Sequence, residues 1–434
     1  MVLLLSRGRT VNLLSIKIYI IIFGGFRLVY NKGVCMDFNS NAKYHAQWHL
    51  HGGGFGYCNV KNIGAWELLD GYGDDSVVIG FADDGCLLSA VDADYSNKFI
   101  AAAFFDGNKL VTGTPRRLFN NMYLSGFRHG TALASIIASP LSLTLPLGVA
   151  PGCRLLPIRW GFNNGFSITQ DGFQQMLLFV SDKIDVFVNC WSRLPIMNFN
   201  EETVSMIRTL ERSGGRRGKG ILFIWAAGNS GCPIDYYSDT SVVFDGIVKD
   251  DGFFYDGRAS KYFHHSLVNI DNVLMVSSVD CYGKRSHYSC YGSGISICAP
   301  SNNKHRFGAK LYSEKGLTTR SADFTGMTNN FKGTSGSAAI VGGVAGLVIS
   351  ANKNLYATDV ASIIKSTASK HLNFSSYPTT IFSCGKHKAI RFSDGVVSEY
   401  IRGEFDGQGW SPWFGYGLVN SCDAVKYAIT KSLS

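Results

Sequence analysis

Four segments of strand length are apolar almost from end to end: residues 76–82 (SVVIGFA), 184–188 (IDVFV), 221–225 (ILFIW) and 273–279 (VLMVSSV). A strand with one wet face alternates apolar and polar positions, whereas one buried on both faces does not. Such strands belong in a mostly parallel sheet, and the helical stretches between them supply cover for its two faces. The expected fold class is therefore α/β, a doubly wound, mostly parallel central sheet with helices on both faces. Residues 336–351 read as a helix that is apolar on every side, which must lie at the centre of such a fold. Gly342, Gly343 and Gly346 within it lower helix propensity, and so predict close packing against the sheet. In this architecture sites form beyond the carboxyl ends of the strands.

With 46% hydrophobic and 17% charged residues in 434, the chain can bury a large core. No composition break divides residues 45–430, so residues 36–434 are expected to form one domain. Residues 1–35 read as an apolar leader: Arg7, Arg9 and Lys17 precede the apolar run 18–26, the pattern of a signal peptide. Met36 leaves open that these residues are upstream sequence. The run is too short to span a bilayer, so membrane contact is expected only if the segment is retained. A secreted or secretory-pathway protein is the corresponding expectation.

The net charge of +9 is scattered. Its densest group, Arg212, Arg216, Arg217 and Lys219 among glycines, reads as a solvated turn without aromatic interleaving, which excludes nucleic acid as a partner. The eleven cysteines are singletons without a C-x-x-C pair, which excludes a zinc site of that kind. Disulfides with at least one thiol left over would fit a secretory-pathway protein, and scattered buried thiols a cytosolic one; both stay open.

Three features fall where the fold places chemistry. Asp83 ends the strand 76–82, Gly228-Asn229 follows the strand 221–225, and Gly333-Thr334-Ser335 opens the apolar helix. A serine hydroxyl needs a base within hydrogen-bond reach, and the start of a helix offers unpaired N–H groups to a developing oxyanion. His129, in Arg128-His129-Gly130-Thr131 before an apolar helical stretch, is the candidate base. Gly130 beside it would leave space for a substrate backbone. Asp83 would hold the imidazole in the right tautomer, and the Asn229 amide would face the oxyanion. Taken alone, Ser335 reads as a helix cap, Asp83 and Asn229 as turn residues and His129 as a surface or core residue. In combination they give catalytic Asp83, His129 and Ser335 with Asn229 in the oxyanion hole, in the chain order Asp, His, Ser.

These segments carry a family resemblance. Residues 79–85 (IGFADDG), 128–131 (RHGT), 148–151 (GVAP), 223–229 (FIWAAGN), 333–335 (GTS) and 414–419 (FGYGLV) resemble the subtilase superfamily, closest to its kexin and furin group. The resemblance covers roughly residues 42–428. It implies a serine endopeptidase acting through an acyl-enzyme on a peptide or protein substrate, working as a monomer and needing no cofactor for the chemistry. It also implies substrate contacts at Asp84, Trp191, Ser192, Trp225, Ala226, Gly228 and Asp256. Structural calcium (Ca2+) is implied at Asp92, Asn41 and Asp235, where Asn41 stands at a position usually filled by Asp and oxygen ligands would serve the ion.

The group's acidic pockets for basic side chains are not all matched. Gly126 and Phe127 stand where an acidic residue precedes the histidine segment, Ser192 replaces a glycine, and Arg193 would repel a basic P1 side chain. Paired-basic specificity is therefore not expected. No propeptide and no C-terminal β-rich domain is recognised. The alternatives are a pseudoprotease that keeps the fold for peptide binding and a degradative protease of broad specificity.

Overall fold

The computed structural model describes residues 29–31, 34–36, 41–53, 56–88, 97–124, 126, 128–162, 165–166, 168–244, 247–248, 254–255, 258–303, 315–320, 326–374, 379–384, 387–392 and 404–431. Most of the leader, together with Asp92, Phe127 and Asp256, lies outside them.

The apolar segments pair as the sequence predicts. Eight strands make the main sheet: β1 (Val78–Asp83), β2 (Ala102–Asp106), β3 (Lys109–Gly113), β4 (Arg154–Arg159), β5 (Val186–Asn189), β6 (Leu222–Ala226), β7 (Val273–Val279) and β8 (Ile295–Pro300). Their spatial order is β8-β7-β6-β5-β1-β4-β2-β3, with every neighbouring pair parallel except the edge hairpin β2–β3. Strand order reverses at β1, which lies between β4 and β5, and this is the place where the chain leaves a crevice beyond the strand ends.

Along β1, β5 and β6 the residues divide between two different cores. Ile79, Phe81, Val188 and Ile224 face the helices His129–Ala138 and Thr334–Ala351, while Val78, Ala82, Phe187 and Phe223 face the helices Gln170–Val180 and Glu201–Ser213. Burial on both faces is the physical reason for continuous apolarity. The helix Thr334–Ala351 has the length and hydropathy of a membrane span, yet every residue from Thr334 to Ile349 is buried in the protein. Its glycines do what their positions predict. A Cβ on Gly342 would come 2.5 Å from Val188 Cγ2, and one on Gly346 would come 2.8 Å from Ile79 Cδ1. Gly343 admits Val149 and the Ile137 carbonyl, which joins this helix to the one that carries His129.

The basic turn needs one correction. Arg212 and Arg216 are exposed as expected, but Arg217 pairs with buried Asp185 at 2.7 Å and donates to the carbonyls of Lys353 and Leu355. It ties the entry of β5 to the loop that ends the central helix.

Candidate active site

β1 delivers Asp83 to the carboxyl edge of the sheet with its side chain buried. Asp83 Oδ1 lies 2.7 Å from His129 Nδ1 and also accepts the Asp84 N–H at 2.8 Å. His129 is the first residue of its helix, whose N-cap residue Arg128 makes no side-chain cap. Asp84 caps it instead: Oδ2 accepts the His129 N–H at 3.0 Å and Oδ1 the Gly130 N–H at 2.7 Å. The two neighbouring carboxylates thus hold the ring and the backbone of one histidine.

The close fit depends on two glycines. A Cβ on Gly130 would fall 1.9 Å from the Gly85 carbonyl oxygen, and Gly85 has φ +138 with the Met122 carbonyl 2.5 Å from where its Cβ would be. The space beside Gly130 is therefore filled by the chain itself. This corrects the expectation that it admits a substrate backbone.

Burial disfavours the imidazolium of His129, but the charge and hydrogen bond of Asp83 outweigh it and hold the pKa above the ordinary value. Burial and the charge of Asp83 push the Asp84 carboxyl up to about 6, against the two N–H bonds it accepts. Phe331 packs on the imidazole with ring centroids 5.3 Å apart. This contact spans 202 positions and left no signal in the sequence.

Ser335 sits in the first turn of the central helix after Gly333, whose φ is +94. Its Oγ donates to the Cys190 carbonyl at 3.3 Å, and the Cys190 thiol donates back to the Ser335 carbonyl at 3.4 Å. Burial and then the Asp83 charge raise the Cys190 thiol far above its ordinary range, so it stays protonated. Asn229 lies beside this helix start. Its Oδ1 accepts both the N–H and the Oγ1–H of Thr334, at 2.9 and 3.0 Å. Since donors occupy the amide oxygen, Nδ2 is free of that duty and turns toward Gly333, where a Cβ would be 3.0 Å away. Thr334 Oγ1 also accepts the Gly228 N–H at 3.1 Å, so this side chain ties the turn after β6 to the start of the central helix, a link that the Gly-Thr-Ser motif by itself does not reveal.

The expected substrate contacts divide. Ser192 is exposed, and Gly228, with φ +107, has Ser192 Oγ, Leu194 and Cys290 around the place of an added Cβ. Ala226 ends β6 nearby and Trp191 is partly exposed. Trp225 is different: its side chain is fully buried and its Nε1 donates to the Trp191 carbonyl at 2.7 Å. Trp225 is corrected from a substrate contact to a support for the segment that carries Trp191, against which its ring packs at 4.8 Å. Asp84 is buried against the helix start. Asp256 lies outside the described residues.

Of the expected calcium ligands, Asn41 and Asp235 fall among the described residues. Asp92 is outside the described residues. Asp235 has His264 Nδ1 at 3.6 Å and the Ser293 hydroxyl at 3.4 Å as neighbours. Asn41 is corrected as an oxygen ligand, because its Oδ1 accepts the N–H groups of Lys43 and Tyr44. No cluster of three or more His, Cys, Asp or Glu that could hold a metal forms among the described residues.

A parallel sheet with an Asp–His pair at a strand end and a serine at the start of a buried central helix is the frame of the subtilisin-like fold. The subtilase family model matches residues 74–417, and the chain belongs to that family. It is 26% identical to the calcium-dependent protease of a Nostoc species over 91% of this chain and 53% of that protein. It is 25% identical to human furin over 78% of this chain and 38% of furin. The chain therefore spans about half or less of the length of these relatives. The serine protease of Aeromonas sobria, solved in complex with a chaperone, superposes with a TM-score of 0.61 at 17% identity, covering 90% of this chain and 67% of that one. At that identity the likeness concerns the fold.

Proposed function

We propose that residues 36–434 form the catalytic domain of a serine endopeptidase that works through an acyl-enzyme. The observation that carries this reading is the 2.7 Å contact between Asp83 Oδ1 and His129 Nδ1, which leaves His129 Nε2 as the proton acceptor. Ser335 Oγ turns from the Cys190 carbonyl toward that nitrogen, attacks the scissile carbonyl carbon and passes its proton to Nε2. Asp83 stabilises the imidazolium. The Asn229 Nδ2–H and the Ser335 N–H at the helix start receive the oxyanion, and the imidazolium then protonates the leaving amine. Water enters by the same route in reverse and frees Ser335.

An extended substrate lies along residues 190–192 and 226–228, where the chain runs out beyond the carboxyl ends of β5 and β6. The relatives of the kexin and furin group support a protein substrate. The mismatches at Gly126, Phe127 and Arg193 speak against a preference for paired basic residues. The basic and apolar pattern of residues 7–26 supports delivery to the secretory pathway.

The deciding experiment is labelling by a fluorophosphonate probe, with Ser335→Ala as control. Folded wild-type protein labels and the variant does not. Absence of labelling in folded wild-type protein overturns the reading in favour of a peptide-binding scaffold.

A further inference from the structure

The helix Ala42–His45 begins on Asn41, a fully buried side chain. Its Oδ1 accepts the N–H of Lys43 at 2.8 Å and of Tyr44 at 3.2 Å. Backbone N–H groups only donate, so the orientation of the amide is settled: oxygen toward the helix, nitrogen away from it. On that far side Nδ2 donates to the carbonyls of Ser142 and Leu145, at 2.7 and 3.3 Å. Both carbonyls belong to the loop that leaves the helix begun by His129. The same loop is held a second time by Gln47, whose Nε2 donates to the Leu147 carbonyl at 2.7 Å while its Oε1 accepts the Leu147 N–H at 2.9 Å.

Carbonyl oxygens turned inward on an oxygen-bearing side chain are the donor set of a hard cation such as calcium, which takes 6–8 oxygens at about 2.3–2.6 Å. Here an N–H2 group already occupies the focus of those carbonyls. A cation in the same place would meet the positive end of the amide dipole. Turning the amide over would set Nδ2 against the N–H groups of Lys43 and Tyr44 and leave both without the acceptor they have now, the Tyr44 N–H in a buried place.

We propose that the Asn41 amide is a built-in substitute for a structural cation. It closes the loop 139–147 with neutral hydrogen bonds, and the Asn41→Asp exchange turns this cradle into a calcium site. An aspartate keeps one oxygen on the helix N-terminus and turns the other toward the Ser142 and Leu145 carbonyls. That places a buried charge among acceptors, an arrangement that needs a cation to be tolerated. The inference concerns stability and stands whether or not Ser335 is a nucleophile.

The test compares the full chain and Asn41→Asp in millimolar calcium chloride and in chelator. In the wild type, hydrogen exchange in residues 139–147 is unchanged by chelation. The variant melts about 3–6 °C below the wild type in chelator and regains that shift with calcium. Loss of wild-type protection in residues 139–147 on chelation overturns the proposal, as does a folded variant whose melting ignores calcium. A variant that folds only in calcium supports it. If the variant folds in neither condition, the wild-type exchange measurement decides alone.

Discussion

The carboxylate of Asp84 caps the helix that His129 begins, accepting the His129 N–H at 3.0 Å and the Gly130 N–H at 2.7 Å. Asp83, one residue earlier, holds the imidazole of the same residue at 2.7 Å. The pair fixes His129 at backbone and ring together, so a defect at Asp84 reaches the site through position rather than through loss of a reacting group.

Asp84→Ala removes a charged N-cap, which costs about 1–2 kcal/mol of stability in urea unfolding. Freed at its backbone, His129 samples poorer geometry, and kcat falls about 10-fold or more with KM little changed. A rise in KM with kcat unchanged would place Asp84 at the substrate instead, as the family resemblance implies.

With His129 as the base, activity depends on pH with a definite sign. His129 acts as base only when neutral, and Asp83 holds its pKa above the ordinary value of about 6.5 despite burial. The acid limb of kcat/KM therefore has its midpoint above pH 6.5, with activity lost as pH falls through it. In Asp83→Asn the limb moves down because the supporting charge is gone. The plateau drops by about four orders of magnitude, since the ring loses its tautomer control. A profile unaltered by Asp83→Asn would exclude this pair as the acid–base machinery.

Much of this was legible because burial writes itself into composition. β1, β5, β6 and β7 lie inside a sheet covered on both faces, so nearly every position must be apolar, and Asp83 and Asn229 stand out where the runs stop. The outermost strand β3 lacks that signature: Lys109–Gly113 has no fully buried residue, although its hairpin partner Ala102–Asp106 is buried over its first four positions. Contacts between distant segments were also out of reach. Gly130 in the sequence shows only that a side chain is missing, not that the Gly85 carbonyl fills the place. Trp225 looks like a surface aromatic of a substrate edge until the rings of Trp191, Phe173 and Phe199 are seen around it. The family resemblance marks Asn41 only as a position usually filled by Asp, and its cap on Ala42–His45 appears with the structure. Its second duty needs a loop about 100 residues away.

Acid sensitivity comes partly from His265, whose ring packs against Trp225 at 5.9 Å. Its ring is buried, Nδ1 accepts the Leu267 N–H at 3.2 Å, and burial followed by the neighbouring His264 lowers its pKa to about 3. The unfolded chain binds this proton below about pH 6.5 and the folded one does not, so stability falls as pH drops through the window from 6.5 to 3. Within that window His265 contributes a slope of about 1.4 kcal/mol per pH unit. His265→Gln, which can still accept the Leu267 N–H, flattens the pH dependence of unfolding by that amount. Equal slopes in the two proteins would show that His265 is protonated in the folded state.

Asn229 and Thr334 allow the oxyanion assignment to be dissected. Asn229→Ala removes a donor to the developing charge and lowers kcat about 10²–10³-fold with KM nearly constant, a range measured in subtilisin itself. Thr334→Val keeps the backbone N–H that Asn229 Oδ1 accepts but removes the hydroxyl bond at 3.0 Å. The amide is then held by one donor where it had two. Losing one such bond is worth about 1 kcal/mol, so kcat falls roughly 5–10-fold. In the Asn229→Ala background the same Thr334→Val exchange has nothing left to orient and adds little. Full additivity of the two changes in kcat would mean that Thr334 acts through another group, the Gly228 N–H it accepts being the first to examine.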